Sequence, residues 1–229
     1  MIKSILKFSV LKIKGRTITF DEKVRDIDLL SLLFTQGFAV LRGLLRFRKV
    51  VFLGNNVVIK AKRNVKFGKG VSIGDYCTLD ALGHEGLCIG AGSSIGSFSL
   101  LKVSGTLKSL GKGINIGCNV GLGDFTHIGG AGGVEIGDDT IAGAYLSIHP
   151  ENHVFSDTNE LIRNQGVSRK GISIGRNCWV GAKVTVLDGS IVGDGCVIAA
   201  GAVVNGVFPN HVVVGGVPAK ILKEIKNVK

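Results

Sequence analysis

His149 and His153 stand in the longest interruption of an otherwise regular pattern, the 26 residues from Ile148 to Ile174. Imidazole changes charge near neutrality, so a positioned histidine can take a proton from one group and return it to another. Long loops on a rigid scaffold are where such groups usually sit; the plainer account of this one is a tolerated surface insertion. Nothing in the spacing argues for a nucleophile or a metal. There is no Ser-His-Asp or Cys-His arrangement with a supporting local motif, and no CxxC or Cys-His ligand spacing.

The pattern that the loop interrupts has a period of six. Ile174, Val180, Val186, Val192, Ile198 and Val204 follow one another at that interval, which fits neither a helix nor an alternating strand. Such a unit suits a short strand that buries one aliphatic, then turns a corner where glycine tolerates unusual φ. Three units make a triangular coil of 18 residues. The same beat runs upstream through Leu53 and Ile59; Phe67, Ile73 and Leu79; Ile89, Ile95 and Leu101; Ile116, Leu122 and Ile128; and Ile136, Ala142 and Ile148. Each phase slip between these runs predicts a corner insertion or an irregular coil. The fold class is therefore an all-β solenoid, with residues 51–214 as the repeat and 149–173 as a protruding loop.

At 229 residues with 35 glycines and only 3 prolines, the glycine belongs to repeat corners rather than linkers, and one domain suffices. Cys77, Cys178 and Cys196 fall on the small inward slot of their units and read as reduced packing residues. That and the lack of a signal-peptide pattern predict a cytoplasmic protein. The net charge of +11 is uneven: residues 1–50 hold 11 basic and 4 acidic side chains, a balance of +7. The same segment carries a helical apolar pattern from Ile27 to Phe47. Its longest uncharged run, Leu29 to Leu41, is 13 residues, short of the roughly 20 of a span. Two roles stay open for it: a cap on the first coil, or a peripheral hold on the inner face of an anionic membrane beside Arg42, Arg46, Arg48 and Lys49. Nucleic acid is excluded as a partner, since the few aromatics are not interleaved with the basic residues.

From the loop onward the chain offers NHVFSD at 152–157, QG at 165–166, ISIGRNCWVGAKVTVLDG at 172–189, VIAAGAVV at 197–204 and GGVPAKILKEI at 215–225. Together these resemble the hexapeptide-repeat acyltransferases of the maltose, galactoside and polysaccharide O-acetyltransferase type, over residues 50–225. The resemblance implies a left-handed parallel β-helix, a C-terminal helix over 215–229, a homotrimer with sites between subunits, and acetyl-CoA as co-substrate with no metal. It also implies acetyl transfer to a sugar hydroxyl in cell-surface polysaccharide or glycolipid assembly. In the family the catalytic histidine lies five residues after the last aliphatic of the coil preceding the loop. Here that aliphatic is Ile148, which makes His153 the general base and leaves His149 on the coil wall. By the same resemblance Trp179, Gly181, Ala182, Ala200, Asn205, Lys220 and Lys223 face CoA. Asn205 and Gly206 depart from the threonine-lysine pair common there. The family's acceptor-binding asparagine is missing, and Asp124, His127 and His149 are the polar candidates in its place.

A hydroxyl must lose its proton as it attacks a thioester, and imidazole can take that proton and pass it to the leaving thiolate. The same base serves an amine, so N-acetylation of an amino sugar stays open. A γ-carbonic-anhydrase-like zinc enzyme would need three histidines, but the spacings among His127, His149 and His153 do not resemble that family's pattern. A non-catalytic solenoid that binds a partner is the remaining class.

Overall fold

The structure is a computed structural model and describes residues 2–14 and 17–226. The six-residue beat becomes a three-sided prism of stacked parallel strands. On the first face the pairing aligns Leu53, Ile73, Ile95, Leu122, Ala142, Val180, Ile198 and Val214 in one column. The second face aligns Ile59, Leu79, Leu101, Ile128, Ile148, Val186 and Val204. The third aligns Phe67, Ile89, Ile116, Ile136, Ile174, Val192 and Phe208. These columns form one continuous apolar interior. Identical positions stack at the interstrand spacing of about 4.8 Å, so a residue type chosen for one coil recurs along an edge of the prism.

The Cys77, Cys178 and Cys196 thiols lie inside, each donating to a carbonyl of the next coil at 3.1–3.2 Å. All five cysteines are free, and burial pushes the Cys77 and Cys178 thiols up. The phase slips are where the sequence places them. A 3₁₀ turn at Lys62–Asn64, an irregular pairing between Gly83–Ile89 and Gly111–Ile116, and the excursion after Ser147–His149 each interrupt the beat.

The edge between the first and second faces works differently from the expectation. Its left-handed corner positions are Asn56, Tyr76, Phe98, Phe125, Tyr145 and Lys183, with φ between 53° and 62°, and a glycine appears there at Gly201, φ 72°. Four of these stack their rings, with centroids 5.1, 5.2 and 4.8 Å apart from Tyr76 to Tyr145. That contact opposes the cost of about 1–2 kcal/mol for an L-residue in this region. The neighbouring glycines serve close approach instead. A Cβ on Gly123 or Gly181 would stand 2.6 or 2.5 Å from the Ala144 or Ala200 amide of the next coil.

Both ends are covered. Helix α1 (Ile2–Lys14) packs on α2 (Asp26–Phe47), and α2 packs on the first coil. Arg42 Nε donates to the Leu53 carbonyl at 2.7 Å and Arg46 Nη1 to the Val57 carbonyl at 2.8 Å. A Cβ on Gly43 would collide with the Val51 backbone. Counted whole, the 22 residues of α2 are long and apolar enough to cross a membrane, although its uncharged run is too short by itself. At the other end the expected C-terminal helix is a strand: Ala219–Glu224 pairs antiparallel with Val212–Gly216. The last strand of the first face would otherwise expose its edge, and a turn through Gly216, at φ 99°, lets the following segment cover it.

Candidate active site

The loop leaves the second face after His149 and returns to the third face at Ile172. Its neck is built by an antiparallel pair, Asn152 opposite Ser168 and His153 opposite Val167. His153 is exposed on this pair and lines an open depression of about 570 Å³ with Asn152, Val154, Phe155, Ser156 and Ser168. The neck is clamped below. Arg169 pairs with Glu151 at 2.6 Å and donates to Ser109 Oγ at 3.0 Å. Asp188, nearly buried, accepts from the Lys170 and Gly171 amides at 2.8–3.0 Å. The QG motif works at the tip, where Gln165 Nε2 donates to the Asp157 and Glu160 carbonyls, each at 2.8 Å. His153 therefore sits on a short, doubly fastened arm rather than on a free loop.

His149 stays on the coil wall, paired with Leu187. Its Nε2 shares a 2.7 Å hydrogen bond with Ser147 Oγ, and its ring stacks on His127 of the preceding coil at 5.4 Å. Burial first, then the neighbouring His149, push the half-buried His127 below the ordinary imidazole value, so it is neutral at pH 7. The structure thus joins His127, His149 and Ser147 on the outer second face at the root of the loop. Asp124 is not with them. It sits at the edge between the first and second faces, where its Oδ1 accepts from the Ser97 amide at 2.7 Å.

That edge also holds Ala182 and Ala200. In the lower coils a side chain from the coil above accepts each corner amide: Asp75 from Asn55 at 2.6 Å, Ser97 from Asp75 at 3.1 Å, Asp124 from Ser97. In the next three coils the same position is Ala144, Ala182 and Ala200, which carry no acceptor. Among the described residues, no group accepts from the amides of Asp124, Ala144, Ala182 or Ala200. Four N–H groups are thus presented one above another, a donor row for an extended ligand rich in carbonyls. Gly181, just before Ala182, lets the coils close up there, and its own amide is spent on the Ile198 carbonyl at 2.7 Å.

Trp179 is exposed on the first face between Ile141 and Val197. Lys220 and Lys223 lie exposed on the antiparallel strand that ends this face. Asn205 lies exposed beyond the second face, on the far edge. In a three-sided prism the loop springs from the edge opposite the first face, so one chain does not bring His153 to Trp179. A larger concavity of about 630 Å³ lies on the third face beside Lys66, Lys112, Lys170, Glu85 and Glu135, and no sequence-predicted residue lines it. Glu151, Arg169, Asp188 and Ala144 are the residues that sequence reasoning missed. Opposite charges at the two roots of the loop, and the change from Asp and Ser to Ala along one edge, were the available signals.

Residues 171–206 match the family described as bacterial transferase hexapeptide, six repeats. A probable acetyltransferase of Mycobacterium tuberculosis is 31% identical over 179 residues, 77% of this chain and 50% of the relative. The repeat is that of the bacterial hexapeptide transferases, to which the chain is similar. A putative lipopolysaccharide biosynthesis O-acetyl transferase of Escherichia coli, WbbJ, is 36% identical over 126 residues, 52% of this chain and 64% of the relative. The chain thus spans less than two thirds of either relative's length. Among solved structures, a single-residue mutant of AntD, an N-acyltransferase from Bacillus cereus in complex with dTDP and coenzyme A, superposes with a TM-score of 0.51 at 17% identity, over 78% of this chain and 85% of that one. The hexapeptide solenoid is accordingly a left-handed parallel β-helix.

Proposed function

We propose that this hexapeptide-repeat protein transfers an acetyl group from acetyl-CoA to a sugar hydroxyl, in the assembly of a cell-surface polysaccharide or glycolipid. The observation that carries the reading is the row of unpartnered amides at Asp124, Ala144, Ala182 and Ala200. Pantetheine is an extended arm with two amide carbonyls and suits such a row; Lys220 and Lys223 supply cations for the nucleotide phosphates. His153 takes the hydroxyl proton as the oxygen attacks the thioester carbon. The carbon–sulfur bond then breaks, and the same imidazole returns the proton to the thiolate. Acceptor and CoA are held together, so no acyl-enzyme is needed, and backbone N–H groups hold the oxyanion. His127 and His149 present polar edges to the acceptor at the root of the loop. The acetyltransferase and lipopolysaccharide O-acetyl transferase names of the relatives support the reaction and the kind of acceptor.

The site belongs between chains. The clamped arm bearing His153 projects from the edge opposite Trp179 and Lys220, so a complete site needs the arm of one copy to reach the first face of another, as in a closed ring such as a trimer. The test is thiol release from acetyl-CoA with panels of nucleotide sugars and lipid-linked sugars, paired with light scattering. A monomer that turns over acetyl-CoA overturns the shared site, and release with amino sugars alone replaces O-acetylation by N-acetylation.

A further inference from the structure

Helix α2 is apolar on two opposite faces, and only one of them is covered. On the covered side Leu29, Ala39 and Gly43 are buried, with Arg42 and Arg46 bonded to first-coil carbonyls. At 100° per residue, Ile27, Leu30, Phe34, Phe38, Leu41 and Leu45 fall within an arc of about 80° on the other side. Their exposures run from 37% to 77%, and no charged residue of the helix lies in that arc. A surface helix of a soluble protein puts polar groups there. Six large apolar side chains along 19 residues instead make a continuous stripe turned away from the solenoid.

The helix packed on α2 is basic. On α1, Lys7 and Lys12 are exposed, as are Ile5 and Phe8, and Lys12 Nζ sits 5.9 Å from the Phe8 ring centre. Residues 1–50 as a whole carry the +7 balance. That charge decides between occupants. A second copy laid on the stripe would bring two such segments against each other, whereas an anionic bilayer offers the opposite charge and an apolar interior together. The arginine bonds to Leu53 and Val57 also settle the posture, because a helix fastened to the end of the prism lies along the surface rather than across it.

We propose that the α2 stripe, with the lysines of α1, docks the solenoid end-on to an anionic phospholipid surface. The test is co-sedimentation of the full chain with vesicles of phosphatidylcholine, with or without about 30% phosphatidylglycerol. The chain should bind the anionic vesicles at least about tenfold better than the neutral ones, and less well as salt rises. Phe34→Glu with Phe38→Glu should lower that binding at least about tenfold while circular dichroism and the light-scattering mass stay unchanged. Lys7→Glu with Lys12→Glu, on a different helix, should weaken binding to anionic vesicles alone. A chain that stays in solution with both vesicles overturns the proposal. So does undiminished binding by the phenylalanine variant. A smaller mass in that variant, with no vesicle binding by the parent, assigns the stripe to a second copy instead.

Discussion

The edge between the first and second faces has two halves built on one backbone and used in opposite ways. From Asn55 to Ser97 each corner amide is taken by a side chain of the coil above, so the lower half is self-sufficient. From Asp124 to Ala200 the amides are unclaimed, and past Asp124 itself the corner residues are alanines. The aromatic stack at the adjoining position crosses that division: it runs from Tyr76 to Tyr145, past the first two open amides, and stops where Lys183 begins. A repeat can thus become a binding surface by omission. Removing a fastening carboxylate costs little in a stack held by its apolar interior, and it frees a donor whose place the solenoid fixes.

The sharpest way to break the comparison is at the arm that a second copy would bring to the open half. His153→Ala should lower kcat by about 10² to 10⁴ with little change in the acetyl-CoA KM, the pattern of an interaction made in the transition state. His149→Ala removes a wall histidine hydrogen-bonded to Ser147 and should cost less. Steady-state kinetics on variants shown to be folded and of unchanged mass decide it. The reverse ranking moves the base from the arm to the wall.

The next test rebuilds the lower half inside the upper. Ala182→Asp places a carboxylate where it can accept the Ala144 amide, as Asp124 accepts that of Ser97. If the open amides hold CoA, its KM should rise about tenfold while thermal stability is kept or raised. An unchanged KM, measured by thiol release, would remove the amide row from the site.

How much of this was legible in the sequence depends on what each residue answers to. The interior was readable, because Ile148 or Val186 can sit at the sixth position only if the strands stack. The place of His153 followed from counting on that beat. The acceptor candidates divide between two places, which the sequence does not show: Asp124 looks alike as a ligand and as a corner fastener, and the bond from the Ser97 amide puts it at the corner. The C-terminal helix that the resemblance implied is a strand, because the open edge of Val212–Gly216 takes Ala219–Glu224 as its partner. Glycine was misjudged in a useful way. Gly181 is required by the nearness of Ala200 in a neighbouring coil, which no local reading of φ preferences contains.

Asp124→Ala extends the comparison to the last fastened rung. It strips the acceptor from the Ser97 amide at an exposed corner, so stability should fall by about 1 kcal/mol, or roughly 2–4 °C in melting temperature. Activity with the best acceptor should be nearly kept. A large loss of acceptor affinity at unchanged stability would return Asp124 to the acceptor site.

The smallest effect concerns pH, and it falls beside the edge, on His127. Burial, reinforced by His149, lowers its folded value below that of an ordinary imidazole. A depressed base stays neutral in the fold while the unfolded chain still takes up a proton. The unfolded state therefore binds more protons as pH falls below about 6.5, and stability is lost in that direction. Above that value both states are neutral and the contribution is constant. The melting temperature of the parent should decline as pH falls from about 7 toward 5, and His127→Gln should flatten part of that decline by removing the group that titrates. Carboxylates at the corners add their own acid loss at lower pH, so the comparison is read as the difference between the two proteins. Identical melting curves across the range would mean that His127 is solvated in both states, which would also remove the reason for treating it as a neutral contact for the acceptor.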